Sequence, residues 1–263
     1  MVDTGPDDAA DLRLRLYRRS RIALPDVLPH LEHLGVSVID EWPFEIELRD
    51  EPTWMYEFGL RSTRDTWSPE DRRRFIEAFE AASSGRLDVG PMNALVTVAG
   101  LAWDEVGLLR AMERYLKQGG MAYSYAYIAG ALLANPVISS QLVAAFRAAH
   151  DPARAATPAE GRAAAEELLT TIETGLETVS SLDQDRIIRA FVALERAIVR
   201  TNAYTPDEGA LAFKLLPRTL TLLPEPRPAF EIWVYSPRVE GVHLRFGRVA
   251  RGGLRWSDRA EDF

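Results

Sequence analysis

The sequence contains no cysteine, and its lysines are Lys117 and Lys214. Without cysteine these residues can form no disulfide, no thiolate nucleophile and no cysteine-ligated metal site. That composition is typical of a reducing compartment, and we expect a cytoplasmic location. Lysine-based catalysis within the chain is restricted to the two lysines. Because one stands at a helix end and the other in a polar stretch, we predict that both are solvated surface residues.

Long apolar runs are also missing, since no stretch approaches the roughly 18 uninterrupted apolar residues of a membrane span. The first eleven residues are acidic and polar, so we predict neither export nor membrane insertion. The net charge of -8 argues against a nucleic-acid partner, which requires a clustered positive field. A group of N-terminal arginines could bind an acidic ligand or nucleic acid, but its spacing favours the solvated face of a strand. These arginines are Arg13, Arg15, Arg18, Arg19 and Arg21.

Two common site motifs are absent as well. No G-x-G-x-x-G follows a strand pattern, so the usual pyrophosphate-binding turn of a dinucleotide site is missing from the sequence. His30 and His33 have helical spacing, yet they lie off the apolar stripe of their segment and have no cluster of further ligands. We therefore predict that both histidines are surface residues and that the chain has no metal site.

The first third of the chain alternates between strand and helix patterns. Residues 12–16 alternate apolar and charged side chains with period two, as a strand with one buried face does. A helical stripe follows at 24–34, and strand patterns return at 36–39 and 54–58. A second helix begins at Ser68, a residue type that caps helices well.

This β-α-β-β-α order predicts an α+β sandwich that resembles an ACT module, with helices on one face of an antiparallel sheet. We assign it to residues 1–84, where no pattern marks a fourth strand. ACT modules of other proteins often bind amino acids through a glycine-containing loop between the first strand and the first helix. The corresponding loop here, residues 17–25, has no glycine, so a packing or oligomerisation role stands beside an amino-acid effector site.

Residues 85–204 have the pattern of an α-helical connector. Apolar residues keep three-or-four spacing over 103–116, and the pattern stops at a Gly-Gly pair. Capping sequences at Thr157 and Ser181 each start a further long helix. We predict that these two helices form a long hairpin.

From residue 205 onward the pattern changes to strands. Residues 230–235 and 242–245 alternate with period two after a stiff proline-rich connector at 223–228. A loop follows in which glycines stand between arginines; its candidate site residues are Arg251, Gly252, Gly253 and Arg255. Adjacent glycines let the backbone approach a ligand closely, and arginine offers a planar fork to a carboxylate. The loop would suit a small dianion, with an ordinary surface turn as the alternative.

Two segments, EIWVYSPRVEGVHLR at 231–245 and VARGGLRWSDR at 249–259, closely resemble the start of the catalytic region of the large NAD-specific glutamate dehydrogenases. Upstream, residues 31–41 resemble the last ACT-like module of that family. Members of the family are far longer than this chain, so the resemblance implies a piece of such a protein. Its parts would be an ACT-like module at 1–84, a helical connector at 85–204 and the truncated start of an α/β catalytic domain at 205–263.

The resemblance implies a homo-oligomeric parent enzyme that converts L-glutamate, NAD and water to 2-oxoglutarate, ammonia and NADH. The family's catalytic lysine and NAD-binding domain would follow Phe263, so we expect no catalytic or cofactor-binding residue in this chain and no activity from it alone. Smaller glutamate dehydrogenases carry Lys-Gly-Gly at the corresponding loop, where the lysine contacts a substrate carboxylate. By resemblance Arg251 takes that place beside the two glycines, and Arg255 either binds substrate or braces the loop. The competing hypothesis is a free-standing ACT-like regulatory or oligomerisation module without catalysis.

Overall fold

The computed structural model describes residues 2–3, 12–48, 51–206, 209–247 and 254–257. The chain forms two compact units, Met1–Val106 and Gly107–Phe263. The sequence predicts three parts, with boundaries after residues 84 and 204. The division into two compact units does not test these boundaries, which stay a prediction.

Unit 1 contains a four-stranded antiparallel sheet. Its strands are β1 (Val2–Asp3), β2 (Leu12–Arg18), β3 (Val36–Leu48) and β4 (Glu51–Ser62), in the spatial order β1-β2-β4-β3. The helices are α1 (Leu24–His33), α2 (Pro69–Ser83) and α3 (Leu95–Val98), a 3-10 turn spans Pro91–Ala94, and α4 (Trp103–Gln118) begins in this unit. The predicted β-α-β-β-α order is confirmed. The sequence pattern does not mark the fourth strand, β1, because two residues are too few to show a period of two.

The core of unit 1 follows from the alternation along β2. Leu12 and Leu14 lie directly opposite Leu60 and Phe58 of β4, and all four side chains are buried. Each fully buried side chain of this size contributes roughly 1.5–3 kcal/mol of hydrophobic stabilisation. Val27 and Leu31 of α1 join the same core.

The other face of this sheet carries the alternate residues. Arg13 is ion-paired with Asp40, and Arg15 Nε lies 2.6 Å from Glu57 Oε2. Both arginines therefore lie on the face opposite the core, as predicted, and each has a carboxylate partner on a neighbouring strand. Three aromatic side chains of this part of the sheet are exposed: Tyr17 (51%), Trp42 (58%) and Phe44 (44%).

Unit 2 contains helices followed by a sheet. After α4 come α5 (Tyr125–Ala134), α6 (Pro136–His150), α7 (Pro158–Gly175) and α8 (Leu182–Ala197). The strands are β5 (Ile198–Thr201), β6 (Leu211–Leu215), β7 (Phe230–Ser236), β8 (Val239–Arg245) and β9 (Leu254–Ser257), and 3-10 turns span Leu176–Thr178 and Pro217–Thr219. The five strands form an antiparallel sheet in chain order. This confirms the two predicted strands as β7 and β8, and the proline-rich connector joins neighbouring strands β6 and β7.

Helix ends in unit 2 partly match the capping predictions. Thr157 and Glu160 form the reciprocal capping box of α7. At α8 the Ser181 hydroxyl accepts from the Gln184 amide, but the Gln184 side chain accepts from Asn135 Nδ2 at 3.1 Å instead of returning to Ser181. Ser181 thus caps α8 alone, because the end of α5 takes the other half of the motif.

The long helices pack differently from a simple hairpin of α7 and α8. Helix α7 packs most extensively along α6, where a Cβ added to Gly161 would lie 2.5 Å from the Ala148 carbonyl oxygen. Helix α8 is joined to α7 by Arg196, whose guanidinium lies 2.6 Å from Glu166 and 2.8 Å from Glu173. The missing side chain at Gly161 lets the backbones of α6 and α7 approach closely.

No single helix among the described residues is long and apolar enough to cross a membrane. Helices α5 and α6 would suffice together by length and composition, but they are bent by 98° at their junction.

The histidines of α1 are not simple surface residues. His30 is half-buried, its ring lies edge-on to Phe79 at 6.2 Å between centroids, and His33 is also half-buried. The surface prediction for this pair was therefore wrong, because α2 covers part of that side of α1. Within the described ranges, no group of three or more histidine and carboxylate side chains could hold a metal ion.

Candidate functional site

Only the end of the predicted substrate loop, residues 254 and 255, lies within the described part of the chain, in strand β9 of the sheet of unit 2. Arg251, Gly252 and Gly253 lie outside the described residues, and Arg255 is described by its backbone alone. Arg255 belongs to β9, where its antiparallel partner is Val242 of β8, and Val242 in turn pairs with Trp233 of β7. Both partners are 0% exposed. A buried cross-strand row therefore sets the place of Arg255 in the sheet.

Hydropathy alone predicts that strand β7 buries the face with Phe230, Ile232 and Val234. The structure buries the opposite face. Glu231, Trp233 and Tyr235 are buried, whereas the alternating apolar residues are half-exposed. The reason lies in α4, which offers polar partners on this side of the sheet. Trp233 Nε1 donates to the Ala111 carbonyl oxygen of α4 at 3.0 Å. A buried indole N–H needs such a partner, and the bond ties the strand to the helix.

A second tie joins the same two elements. The Tyr115 hydroxyl donates to Glu231 Oε2 at 2.6 Å, and both side chains are buried. The Tyr115 ring also meets Trp233 edge-to-face, with centroids 5.9 Å apart. A hydrogen bond in the protein interior is stronger than one in water, so this contact binds α4 to β7.

Arg114 of α4 contacts the neighbouring helix α5. Its guanidinium carbon lies 4.3 Å from the centroid of the Tyr125 ring. Burial alone would lower the pKa of Arg114, but Tyr125 and the Glu240 carboxylate favour the charged form and raise it. Burial, together with Glu240 and Glu113, raises the pKa of Tyr125, against the opposing effect of Arg114. The Glu240 carboxyl of β8 therefore affects the pKa values of both Arg114 and Tyr125.

We call this set the α4–sheet network. Its members are Arg114 and Tyr115 of α4, Tyr125 of α5, and Glu231 and Trp233 of β7. Chemically, these hydrogen bonds and ring contacts hold α4, α5 and β7 in a fixed geometry.

Both lysines depart from the prediction of solvated side chains. Lys117 Nζ donates to the carbonyl oxygens of Met121 at 2.8 Å and Tyr123 at 2.7 Å. Lys214 Nζ lies 4.3 Å from the Phe230 ring centroid. Both side chains are half-buried, so that prediction was wrong. Lys117 stabilises the turn after α4, because a cation suits the carbonyl-rich end of a helix.

A cavity of about 350 Å³ lies on another side of Tyr115. Its wall is mainly apolar, with alanines of α8 and leucines of the segment 220–223. Arg186 and Arg189 stand at its edge. Each is already paired within α8, to Asp183 at 3.7 Å and Asp185 at 2.9 Å, so the cavity offers a largely apolar surface.

Comparison with protein families places these parts in one class, the glutamate dehydrogenases with ACT modules. Residues 3–72 match a model described as the glutamate dehydrogenase ACT3 domain, and 89–152 match glutamate dehydrogenase helical motif 3. Residues 171–263 match the catalytic domain of bacterial NAD-glutamate dehydrogenase. This last range includes α8, the whole sheet of unit 2 and the predicted substrate loop.

Individual relatives agree over nearly the whole chain. The NAD-specific glutamate dehydrogenase of Halomonas elongata is 44% identical over 98% of this chain. Those of Mycobacterium tuberculosis and Pseudomonas aeruginosa are 41% and 40% identical over 100% and 96% of it. The chain belongs to the family of NAD-specific glutamate dehydrogenases, which confirms the resemblance. It spans 16–17% of the length of these relatives.

Proposed function

We propose that this chain is the segment of an NAD-dependent glutamate dehydrogenase that joins its last ACT-like module to the first strands of its catalytic domain. The parent reaction would convert L-glutamate, NAD and water to 2-oxoglutarate, ammonia and NADH. One observation carries the proposal: three models of the same family match successive ranges of the chain, and the last of them is a catalytic domain.

Within that reaction, the loop at 251–255 would bind substrate. Arg251 would hold a carboxylate of glutamate through its guanidinium fork, and Gly252 and Gly253 would allow backbone N–H groups close to the same anion. Arg255 would assist or brace the loop from β9. The pairing of β9 with β8 supports this role, since it gives the loop a firm end in the sheet.

NAD would supply the hydride acceptor when bound. The sequence has no glycine-rich dinucleotide turn, so we assign no residue of this chain to the cofactor and no proton-transfer step to it.

The loop is best tested in an active context. The matching segment of the Pseudomonas aeruginosa enzyme would be replaced by this chain, and NADH formation would be followed at varied glutamate concentration. Arg251→Ala should raise the KM for glutamate by roughly 10- to 100-fold, the effect of losing a charge-assisted hydrogen bond to substrate. Arg251→Lys should recover part of the loss, because it keeps the charge but not the fork.

The matched control is Arg238→Ala, which removes an exposed arginine from the turn between β7 and β8. It should leave the KM for glutamate unchanged. An unchanged KM for glutamate in Arg251→Ala would remove the proposed carboxylate contact. A folded chimera without any glutamate-dependent NADH formation would count against the function itself.

A further inference from the structure

One face of the four-stranded sheet in unit 1 carries exposed aromatic side chains. Helix α1 packs on the face formed by Leu12 and Leu14, so the alternate residues of the strands lie on the opposite face. On that opposite face Tyr17, Trp42 and Phe44 are exposed by 51%, 58% and 44%. We call these three residues the aromatic patch.

The strand register brings the members of the aromatic patch together. Tyr17 of β2 and Phe44 of β3 both lie opposite Met55 of β4, so they belong to one row across three strands. Trp42 lies in the next row, opposite Glu57. Aromatic side chains reach across both direct and diagonal positions of a sheet. The aromatic patch is therefore continuous.

The charged residues beside the aromatic patch are paired within the chain. Arg15 Nε lies 2.6 Å from Glu57 Oε2, and Arg13 is ion-paired with Asp40. Gly59 stands between Arg13 and Asp40 in their strand row, where an added Cβ would lie 2.6 Å from Asp40 Oδ2. The missing side chain of Gly59 thus lets the second ion pair reach across β4. In both pairs the formal charges cancel.

The aromatic patch is large for a surface in contact with water. Aromatic side chains cover about 150–250 Å² each, so the three exposed fractions leave roughly 300 Å² of aromatic surface in solvent. A continuous apolar area of that size on a protein surface often marks a binding surface. Aromatic residues are also enriched in interfaces between proteins.

We propose that the aromatic patch is a self-association surface, on which the same sheet face of a second copy of this chain packs about a two-fold axis. A second copy brings the same apolar row and the same closed ion pairs, so the contact meets no uncompensated like charge. Antiparallel sheets pack face to face in this way when their inner faces are apolar. A nucleic acid would instead need free cations, and Arg13 and Arg15 are held by carboxylates.

The size of the aromatic patch sets the expected affinity. Two copies together would bury about 600 Å² of aromatic surface, less than the roughly 1,200 Å² or more of a standard stable interface. We therefore expect a reversible dimer with a Kd of about 1–100 µM. This association does not depend on the proposed enzymatic function.

Sedimentation velocity of the 263-residue chain tests the proposal at protein concentrations from about 1 to 300 µM. The weight-average mass should rise from that of one chain toward that of two. Trp42→Glu should raise the Kd at least about 100-fold, because a two-fold contact contains the change twice and each copy replaces an aromatic anchor with a charge. Tyr17→Glu should act in the same way, which gives a second measurement if one variant fails to fold. Far-UV circular dichroism checks the folding of both.

Leu182→Glu is the matched control. It adds the same charge at an apolar position that is 63% exposed, but Leu182 lies at the start of α8 in unit 2. This variant should leave the Kd of the dimer unchanged. Since the ion pairs close within each copy, the Kd of the parent should change by less than about threefold between 0.1 and 0.5 M sodium chloride.

Two results of the sedimentation experiments would overturn the proposal. One is a chain that stays monomeric up to about 300 µM, and the other is a dimer whose Kd is the same in Trp42→Glu, Tyr17→Glu and the parent. Fluorescence anisotropy with a labelled single-stranded oligonucleotide tests the other kind of occupant. Oligonucleotide binding by a monomeric chain that is lost in Trp42→Glu would assign the aromatic patch to nucleic acid and overturn self-association.

Discussion

Glu195 is a carboxyl group in the interior of unit 2. It is 7% exposed, and within the part of the chain that the structure describes its Oε1 has no hydrogen-bond partner. Burial raises the pKa of Glu195 well above its ordinary value of 4.5. An ionised carboxylate there would lack the hydration that it has in water, so the folded protein favours the protonated form.

The sign of the pH dependence follows from this raised pKa. The unfolded chain loses the Glu195 proton near pH 4.5, whereas the folded chain keeps it to higher pH, so the stability is full below pH 4.5 and declines as pH rises. Glu195→Gln should match the parent in free energy of unfolding below pH 4.5 and exceed it by about 1–3 kcal/mol at neutral pH. Urea unfolding across this range checks the prediction. The control is Glu167→Gln, at an exposed position of α7. If Glu195→Gln differed from the parent by the same free energy of unfolding at every pH, the prediction would be contradicted.

His150 behaves in the opposite sense at the end of α6. Burial, with a smaller effect of Arg162, lowers the pKa of His150 from 6.5 to about 4. The unfolded chain therefore takes up a proton as pH falls below 6.5, and stability is lost between pH 6.5 and 4.

His150→Phe should remove this part of the pH dependence while keeping a ring against Phe146, whose centroid lies 4.7 Å away. The parent should lose about 2–3 kcal/mol more than the variant between pH 6.5 and pH 4. Parallel urea titrations of the two proteins give the comparison. Equal slopes in this interval would show that His150 is not the group responsible.

At the scale of elements, the approach of α6 and α7 depends on one missing side chain. A Cβ at Gly161 would lie 2.5 Å from the Ala148 carbonyl oxygen, a separation that the backbone of α6 can relieve only by moving. Gly161→Ala should therefore destabilise unit 2 by about 1–3 kcal/mol, the usual cost of overpacking a close contact.

Gly175→Ala provides the control on the same helix, because a Cβ there meets nothing within 4 Å. In a helical conformation alanine is favoured over glycine by roughly 0.5–1 kcal/mol, so this variant should be neutral or slightly stabilising. Thermal unfolding followed by circular dichroism distinguishes them. Equal melting temperatures for the two variants would refute the close approach of α6 and α7.

The strands also show what a local sequence pattern can and cannot predict about burial. Leu12, Leu14, Phe58 and Leu60 follow simple alternation and reach the core as that pattern indicates. Strand β7 does not, because its buried face carries Glu231 and Tyr235. An alternation of period two correctly predicts a strand. When the helix that packs on the strand supplies polar groups, that helix decides which face of the strand is buried.

At the scale of the whole molecule, the chain spans 16–17% of its relatives' length, and its own residues offer no dinucleotide turn. We predict that residues 1–263 alone give no NADH from glutamate and NAD, whereas the chimera with the rest of the Pseudomonas aeruginosa enzyme does. Parallel assays at equal protein concentration check this. Turnover by the isolated chain would refute it, provided that the rate scales with the amount of protein and disappears on heat denaturation.

In the candidate site, too, contacts between neighbouring residues can be predicted from the sequence, whereas contacts between distant residues cannot. The glycine–arginine motif at 251–255 can be recognised by eye because its residues are adjacent in sequence. The α4–sheet network cannot, since Tyr115 and Glu231 are 116 residues apart and no local pattern pairs them.

The sequence by itself determined the order of most helices and strands, the caps at Ser68 and Thr157, and the family, because all of these depend on neighbouring residues or on direct similarity. Only the tertiary structure decided that α7 packs along α6, that Lys117 and Lys214 are half-buried, and that α4 is hydrogen-bonded to β7. The physical reason is that burial and pairing depend on which distant surfaces meet. A charged residue in water and the same residue in a buried pair have identical sequence patterns, and their free energies differ only once the chain has folded.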